Sequence, residues 1–560
     1  MLKMKYLISI TFYVVLCILG TAGAQDRTVG LFVHEDGAFV GYTLFSPMSY
    51  TDSYLIDNDG LLINSWHDNY RPAMTAYIRE NGHLIRTGKD PDNPEFVLGG
   101  GAGGHLREFD WDGTLLWDFL YSDATHCPHH DIEPLPNGNL LVIAWEYKST
   151  AEAVAAGRNP NTIGQGKLWP EQIIEIQPDG LTGGNIVWEW HIWDHLVQDL
   201  DPSKDNYGIV ADHPELMDIN FTYNNRADWD HFNSVDYNEE LDQILISAHG
   251  PSEILIIDHS TTTEEAAGHT GGIYGKGGDF LCRWGNPRSY RAGQEAVRQL
   301  YRQHDASWIE QGRPGAGNIL IFNNGNGRPD GNYSSVLEIV PPIDSAGNYY
   351  RAPDSAYGPV APIWTYTAEN PPDFYAENLS GAQRQPNGNT IISNGRTGTI
   401  FEITPEDSLV WLYVNPVTSF GPINQGDPPS SNLIFWGIRY APEYSGFDGR
   451  DMTPGDPIER YPTGITENPE IIPEDINLSQ NFPNPFNAST MIEFSLNRAE
   501  NINLKVYDIL GRKIATLISG QMSAGVHRIN FDASRFSSGY YFYKLQTGDY
   551  SETKRMMLLK

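Results

Sequence analysis

A unit of two strand-like runs joined by a turn carrying Asp or Gly, with Trp in or at the end of the second run, recurs six times between residues 53 and 411. The first copies read Ser53-Tyr-Leu-Ile-Asp-Asn-Asp-Gly-Leu-Leu-Ile-Asn-Ser-Trp66 and Leu106-Arg-Glu-Phe-Asp-Trp-Asp-Gly-Thr-Leu-Leu-Trp117, followed by Ile173-Ile-Glu-Ile-Gln-Pro-Asp-Gly180 leading to Ile186-Val-Trp188. The later copies are Ile254-Leu-Ile-Ile-Asp258 with Phe280-Leu-Cys-Arg-Trp284, Val336-Leu-Glu-Ile339 with Pro362-Ile-Trp364, and Ile400-Phe-Glu-Ile-Thr-Pro-Glu-Asp-Ser-Leu-Val-Trp411. Successive Trp positions lie 51, 71, 96, 80 and 47 residues apart, room in each interval for a four-stranded sheet and loops of varying length. A second hairpin with an Asn-Gly turn falls between copies, at Glu80-Asn-Gly-His, Pro136-Asn-Gly-Asn and Pro386-Asn-Gly-Asn, and a type I′ turn is expected there because both its central residues need positive φ. Four strands repeated six times predict an all-β fold, a six-bladed β-propeller. The run Asn432-Leu-Ile-Phe-Trp-Gly-Ile-Arg-Tyr440 is expected to pair with an early strand, close the ring and remove its free edges. The Asp-x-Asp-Gly segments at 57–60 and 110–113 are read as β-turns, since neither continues into the ligand ladder of a calcium loop.

The two ends of the 560-residue chain depart from this pattern. Lys3 and Lys5, the apolar run Tyr6–Leu19 and the small residues Ala22-Gly23-Ala24 make a cleavable secretory signal over residues 1–24, too short in its apolar part to span a bilayer. The segment 25–452 is then the propeller. Residues 453–477, rich in Pro and acidic groups, are expected to be an extended linker. Alternating apolar residues return in Met491–Leu496, Ile502–Tyr507, His527–Phe531 and Tyr540–Leu545, the spacing of a small β-sandwich over 478–560. Charge divides the same way: 478–560 hold 10 basic and 6 acidic side chains, so a net charge of -34 leaves -38 on everything before them. A surface so acidic repels phosphate backbones and anionic bilayers, which argues against nucleic acid or a membrane as partner. With the signal removed, only Cys127 and Cys282 remain, and spacing alone does not say whether they pair.

The terminal module resembles the sorting domain of the type-nine secretion system of Gram-negative bacteria. The resemblance rests on Asn481-Phe-Pro-Asn-Pro-Phe-Asn487, Tyr507-Asp-Ile-Leu-Gly-Arg-Lys513, Phe536-Ser-Ser-Gly-Tyr-Tyr-Phe542 and the basic pair Lys554-Arg555. It implies export through the periplasm and across the outer membrane by that machinery, with the protein released or held at the cell surface.

Histidines carry the chemistry that the sequence offers. His126, His129 and His130 in Thr125-His-Cys-Pro-His-His-Asp-Ile132, His231 in Asp228-Trp-Asp-His-Phe-Asn-Ser-Val235, and His304 in Arg302-Gln-His-Asp-Ala-Ser-Trp308 all begin the strand that precedes a repeat hairpin. Equivalent positions on successive blades converge on the channel, so side chains far apart in sequence are expected to meet in one pocket.

Trp229-Asp-His-Phe-Asn-Ser-Val235, Gln303-His-Asp-Ala306 followed by Ile319-Leu-Ile-Phe-Asn-Asn-Gly325, and His129-His-Asp-Ile-Glu-Pro-Leu-Pro-Asn-Gly-Asn139 resemble, in order and spacing, the bacterial arylsulfate sulfotransferases across residues 50–450. The resemblance implies transfer of a sulfuryl group from a phenolic sulfate ester to a phenolic acceptor through a sulfated histidine, with no cofactor and no metal. Carried over by motif, His304 is the histidine that becomes sulfated, and His231 with His129 or His130 surrounds the transferring group. An imidazole with a pKa near 6.5 is a competent neutral nucleophile, and a phenol of pKa about 10 is a workable leaving group once a proton reaches it. Flanking imidazoles supply that proton and donors to the sulfuryl oxygens. The chain departs from the family where an arginine is expected and Ile244-Leu-Ile-Ser-Ala-His-Gly250 places His249 instead; Arg396 and Asn233 are the other candidates to hold the sulfate.

Two other readings stay open on residues alone. Three converging histidines also make a zinc site with a position for water, which gives a metal-dependent propeller enzyme. A secreted propeller that binds without catalysis is the third. The run Gly99-Gly-Gly-Ala-Gly-Gly104 lacks the Lys-Ser/Thr of a phosphate loop and is read as a flexible loop.

Overall fold

The computed structural model describes residues 27–461 and 476–559, apart from 97–98, 223, 354, 482–483, 485, 488, 523–524 and 549. The signal at 1–24, residues 462–475 of the linker and part of the Asn481–Asn487 motif lie outside the described residues. The chain is nearly all-β and divides into two compact units between residues 462 and 463. No helix among the described residues is long and apolar enough to cross a membrane.

Among the described residues the first unit contains six antiparallel sheets of four or five strands, four of them built from successive strands of the chain alone. The sheet His126–Pro134, Leu140–Glu146, Glu171–Asp179, Gly183–His191 is typical: inner strand, Asn-Gly turn, second strand, then the hairpin that ends in Trp. One sheet takes its inner strand from far away, because Ile434–Tyr440 pairs with Tyr42–Pro47, as expected of the closing segment. The strand Gly30–His34 adds a fifth member to the sheet of Leu409–Val414, a pairing with no signature in the repeat. The inner strands Pro72–Ile78, His126–Pro134, Phe232–Asn238, His304–Trp308, Gly381–Arg384 and Ile434–Tyr440 touch one another in that order, and the last touches the first.

The repeated Trp has a physical task. Its indole N–H donates to the outer hairpin of the following sheet, from Trp66 to Asp110 O at 2.9 Å, Trp117 to Gly183 O at 2.8 Å, Trp188 to Thr261 Oγ1 at 3.1 Å and Trp284 to Pro359 O at 2.7 Å. Trp411 donates to Asn58 O at 2.7 Å and so ties the last sheet to the first. Trp364 differs: it lies under the Arg384 guanidinium, 4.8 Å from its centroid. Trp combines a large apolar body with one donor, so it packs between sheets while its N–H satisfies a turn carbonyl.

The Asn-Gly hairpins are not the expected type I′. Only Gly82, Gly138 and Gly388 are left-handed, at φ of 80, 91 and 92°, while their amides bond to Arg79, Leu135 and Gln385 carbonyls at 2.8, 3.0 and 2.9 Å. These are type I turns closed by a glycine, the three-residue hairpin loop. The Asn favours this geometry by taking a backbone N–H two residues on, as Asn137 Oδ1 does from Asn139 at 2.9 Å. The Asp-x-Asp-Gly turns use their carboxylates the same way, Asp57 Oδ1 accepting from the amides of Asp59 and Leu61 at 2.9 and 2.8 Å.

Residues 453–461, expected to open the linker, run instead along the first unit: Gly455 donates to Leu62 O at 2.8 Å and Arg460 to Ile423 O at 2.9 Å. The second unit has a sheet of Asn477–Leu478, Ser489–Leu496 and Gly525–Asp532, and another of Lys513–Met522, Glu500–Asp508, Gly539–Gln546 and Ser551–Leu558. Ile492, Phe494, Leu504, Val506, Tyr543, Leu545 and Met556 form its core, supplied by alternate positions of each strand.

Candidate functional site

The heads of the inner strands are irregular. Pairing to the second strand shifts between Val142 and Ala144, between Phe232 and Ser234, and between His304 and Ala306. At or beside those bulges His130, His231 and Asp305 are left-handed, with φ of 53, 48 and 47°. Non-glycine residues take this conformation at a cost, and a bulge re-aims the side chains beside it. Here the result is that imidazoles from three strands turn toward one point.

Four rings form a chain of edge-to-face contacts, His130 to His231 at 4.6 Å, His231 to His249 at 5.0 Å and His249 to His304 at 5.3 Å between centroids. Phe435, from the closing strand, lies 6.0 Å from His130 and 6.1 Å from His304 and completes the circuit. His129 sits behind His130, with their Nδ1 atoms 2.8 Å apart, and stacks on Trp145 at 3.9 Å. His129, His130 and His304 are buried, while His231 and His249 keep a partly exposed edge. His126 stands apart, stacked near Tyr121 and bonded to Thr125 Oγ1.

Hydrogen bonds determine where the protons of His304 are. Asn324 Nδ2 donates to the carbonyls of Ala376 and Leu379 at 2.9 and 3.0 Å, so its Oδ1 is the atom facing His304 Nδ1 at 2.8 Å. Nδ1 therefore carries the hydrogen and Nε2 the lone pair, which takes the Leu379 N–H at 3.3 Å. Burial pushes the His304 pKa down to about 3, the nearby His231 adding to the shift against the opposing bond to Asn324. The ring is neutral at neutral pH.

Two of the other rings have carboxylate partners. His231 Nδ1 bonds to Asp228, and His129 Nε2 lies 2.7 Å from Glu171 Oε2. Burial, with Asp230 and Asp228 nearby, pushes Glu171 well up, and burial pushes His129 well down. One hydrogen between Glu171 Oε2 and His129 Nε2 and another between the Nδ1 atoms of His129 and His130 join the three groups into one relay that ends at His130 Nε2. Burial, with His231 close by, also pushes His130 and His249 down.

His249 occupies the turn after Gln243–Ala248, its amide bonded to His231 O at 3.0 Å, and Arg302 Nη1 donates to its carbonyl at 3.1 Å. Asn233 is fully buried and donates to Gln303 O at 2.9 Å, while its Oδ1 has no partner. Arg396 is exposed on the turn after Thr390–Asn394, at the same sheet end as Leu379, and pairs with Glu377 at 3.2 Å. The structure brings the five histidines together and leaves Arg396 outside their contacts.

The glycine-rich run is part of this site. A Cβ on Gly101 would lie 2.5 Å from the His130 ring and one on Gly99 2.5 Å from Trp145, and Gly101 is left-handed at φ 78°. His130 N–H donates to Gly101 O at 3.1 Å. The loop lies against the rings because Gly99 and Gly101 have no side chains. Beyond the histidines, a cavity of about 930 Å³ opens at Asp131 and Asp305, one residue after His130 and His304 on the same strands, and continues past Glu133, Asp236 and Glu310. Burial pushes Asp131 and Asp236 up to about 7. Cys127 and Cys282 are buried, free, and in different core clusters.

Glu171, Asn324, Phe435 and the Leu379 amide carry no motif of their own in the histidine reading. Asn324 was within reach, since Asn323-Asn324 stands in the segment that follows His304.

A model of the arylsulfotransferase (ASST) family matches residues 42–411, and a model of the secretion system C-terminal sorting domain matches residues 480–559. No curated protein matches the chain. Similar solved structures include a protein of unknown function from Bacteroides caccae, 11% identical, spanning 71% of this chain and 98% of its own with a TM-score of 0.37. Virginiamycin B lyase from Staphylococcus aureus is 10% identical over 70% of this chain and 86% of its own, at a TM-score of 0.32. A protein from Lactobacillus plantarum is 10% identical over 88% and 99%, at 0.33.

Proposed function

Because this chain belongs to the arylsulfotransferase family and carries the type-nine sorting tail that sends a protein to the cell surface or beyond it, we propose that it is an exported enzyme moving sulfuryl groups between phenols through a sulfated His304. The observation that carries this reading is the tautomer of His304: a buried neutral ring whose Nδ1–H is held by Asn324, whose Nε2 keeps the lone pair, and whose face meets His249 at the end of the chain of imidazoles.

In the first step the 3.3 Å contact from Leu379 opens and Nε2 forms a bond to sulfur as the aryl oxygen–sulfur bond breaks. The departing phenolate takes a proton from His231, whose other nitrogen is held by Asp228. In the second step an acceptor phenol returns its proton to His231, its oxygen bonds to sulfur and the nitrogen–sulfur bond breaks. His130 Nε2–H and His249 donate to the sulfuryl oxygens. His249 replaces a permanent cation with a neutral ring, and Arg302 supplies positive field from behind it. Asn233 is the further donor site on the inner strand, and Arg396 waits at the rim.

The same proposal takes the six sheets as blades of a six-bladed propeller over 25–452, supported by the closed cycle of inner strands and the Trp411 staple. It takes 1–24 as signal, the linker as the part of 453–477 that follows residue 461, and the two sheets of 478–560 as a sandwich. Initial rates with a chromogenic aryl sulfate and a phenol acceptor test the chemistry: parallel double-reciprocal lines are expected, and intersecting lines, or a His304→Ala chain as active as the wild type, would sink it.

A further inference from the structure

A second histidine cluster stands outside the ring contacts of the sulfuryl-transfer histidines. His195 follows the outer strand Gly183–His191, while His269 and Asp279 lie in the long excursion between Glu253–Asp258 and Cys282–Trp284 of the next sheet. His195 Nδ1 and His269 Nδ1 each lie 2.8 Å from the same oxygen, Asp279 Oδ1. The three ligand atoms fall within 4.8 Å of one another. His195 is fully buried, and the His269 side chain is 60% exposed.

The pocket around His195 is built. The ring stacks on Trp190 at 5.6 Å with 4° between planes. Trp190 Nε1 donates to Gly278 O at 2.7 Å, and a Cβ on Gly278 would meet Ala266 O at 2.0 Å and His195 Nε2 at 2.6 Å. His195 Nε2 lies 2.8 Å from Ala266 O, which can only accept, so Nε2 carries a hydrogen. In a neutral ring Nδ1 is then a lone pair, and it points at a carboxylate oxygen, another acceptor. A hydrogen on one of the two atoms, or a cation shared by them, resolves the contact. The second imidazole converging on the same oxygen puts three ligand atoms within reach of one ion, which favours the cation. A ligating histidine that donates its other N–H to a backbone carbonyl is the ordinary outer-shell arrangement of a metal site.

We propose that His195 Nδ1, His269 Nδ1 and Asp279 Oδ1 bind one divalent transition-metal ion, with zinc the best chemical match. Two imidazoles and one carboxylate are borderline ligands suited to zinc's four-coordinate preference, and the solvent side at His269 leaves the fourth position to water. The ion fastens the excursion of one sheet onto the end of its neighbour, beside the Trp190 contact. It is a structural site, separate from the transfer chemistry, and it departs from the expectation of a metal-free chain.

The test uses the full chain, stripped with chelator and titrated with zinc by calorimetry, with metal content after dialysis and melting temperature measured alongside. His269→Ala removes an exposed ligand and keeps the buried pair, so it folds even where Asp279→Asn does not. His213→Ala, a half-buried histidine outside the cluster, is the control. Expected are one zinc per wild-type and His213→Ala chain with a raised melting temperature, and an affinity at least roughly tenfold weaker in His269→Ala. A wild type that retains no zinc means the cluster is a hydrogen-bonded imidazolium–carboxylate pair and overturns the proposal. Equal zinc in wild type and His269→Ala places the ion elsewhere and overturns it too.

Discussion

Replacing Asn324 with Ala separates the stability of the site from its chemistry. Asn324 makes three buried hydrogen bonds, to His304 Nδ1 at 2.8 Å and to the Ala376 and Leu379 carbonyls at 2.9 and 3.0 Å. At about 1 kcal/mol net for each, truncation costs about 3 kcal/mol of folding stability, seen as a lower urea midpoint. The chemical effect is larger than that loss suggests. Without the Oδ1 acceptor the hydrogen of His304 is free to move to Nε2, the atom that must attack, and the ring is free to turn. The expected fall in kcat is roughly 10²–10⁴-fold, the range for losing a correctly placed proton. The assay is aryl sulfate turnover at saturating phenol, well below the melting temperature of the variant, with circular dichroism showing that it is folded. A folded Asn324→Ala chain with wild-type kcat refutes the argument that this tautomer is the catalytic one.

Gly101→Ala puts a side chain 2.5 Å from the His130 ring at a left-handed position, so a loss of about 2–4 kcal/mol in a denaturant melt, together with lower kcat, is expected. His304 has its folded pKa depressed to about 3 from 6.5, so the stability it contributes is present above pH 6.5 and lost as pH falls toward 3; urea midpoints should decline over that window less steeply in His304→Phe. The same value means that no acid limb near pH 6.5 in kcat/KM belongs to the nucleophile, and a limb there that vanished on replacing only Asn324 would contradict this. Arg396→Ala should raise KM for the sulfate ester several-fold with kcat nearly unchanged, since the exposed guanidinium lies at the rim and not on the rings.

Much of the fold was legible because the Trp repeat is the contact that joins sheets: Trp66, Trp117, Trp188, Trp284 and Trp411 mark outer strands since each needs a carbonyl from the next hairpin. The closing strand was legible for a related reason, an apolar alternation with no partner nearby in sequence. Gly30–His34 was not, because a fifth strand adds no repeat. The turn type was misread since Asn-Gly is compatible with two hairpin loops, and only the φ of Asn81, Asn137 and Asn387 decides. His130, His231 and His304 could be picked out because they head inner strands. Asn324 was within reach in the segment after His304, but Glu171 could not be assigned to His129, since the pair spans 42 residues and depends on which faces of two strands meet. The glycine run was passed over for the same reason: its requirement comes from rings in another part of the chain, which no local pattern records.

The central claim is that His304 carries the sulfuryl group between donor and acceptor. Mixing the protein with an aryl sulfate in the absence of acceptor, quenching at alkaline pH to preserve the nitrogen–sulfur bond, and mapping peptides by mass spectrometry tests it directly. The account predicts one sulfuryl group per chain on the peptide bearing His304, lost on adding phenol and absent from His304→Ala. A sulfuryl group on any other residue, or turnover of the ester with none trapped on the chain, would contradict it.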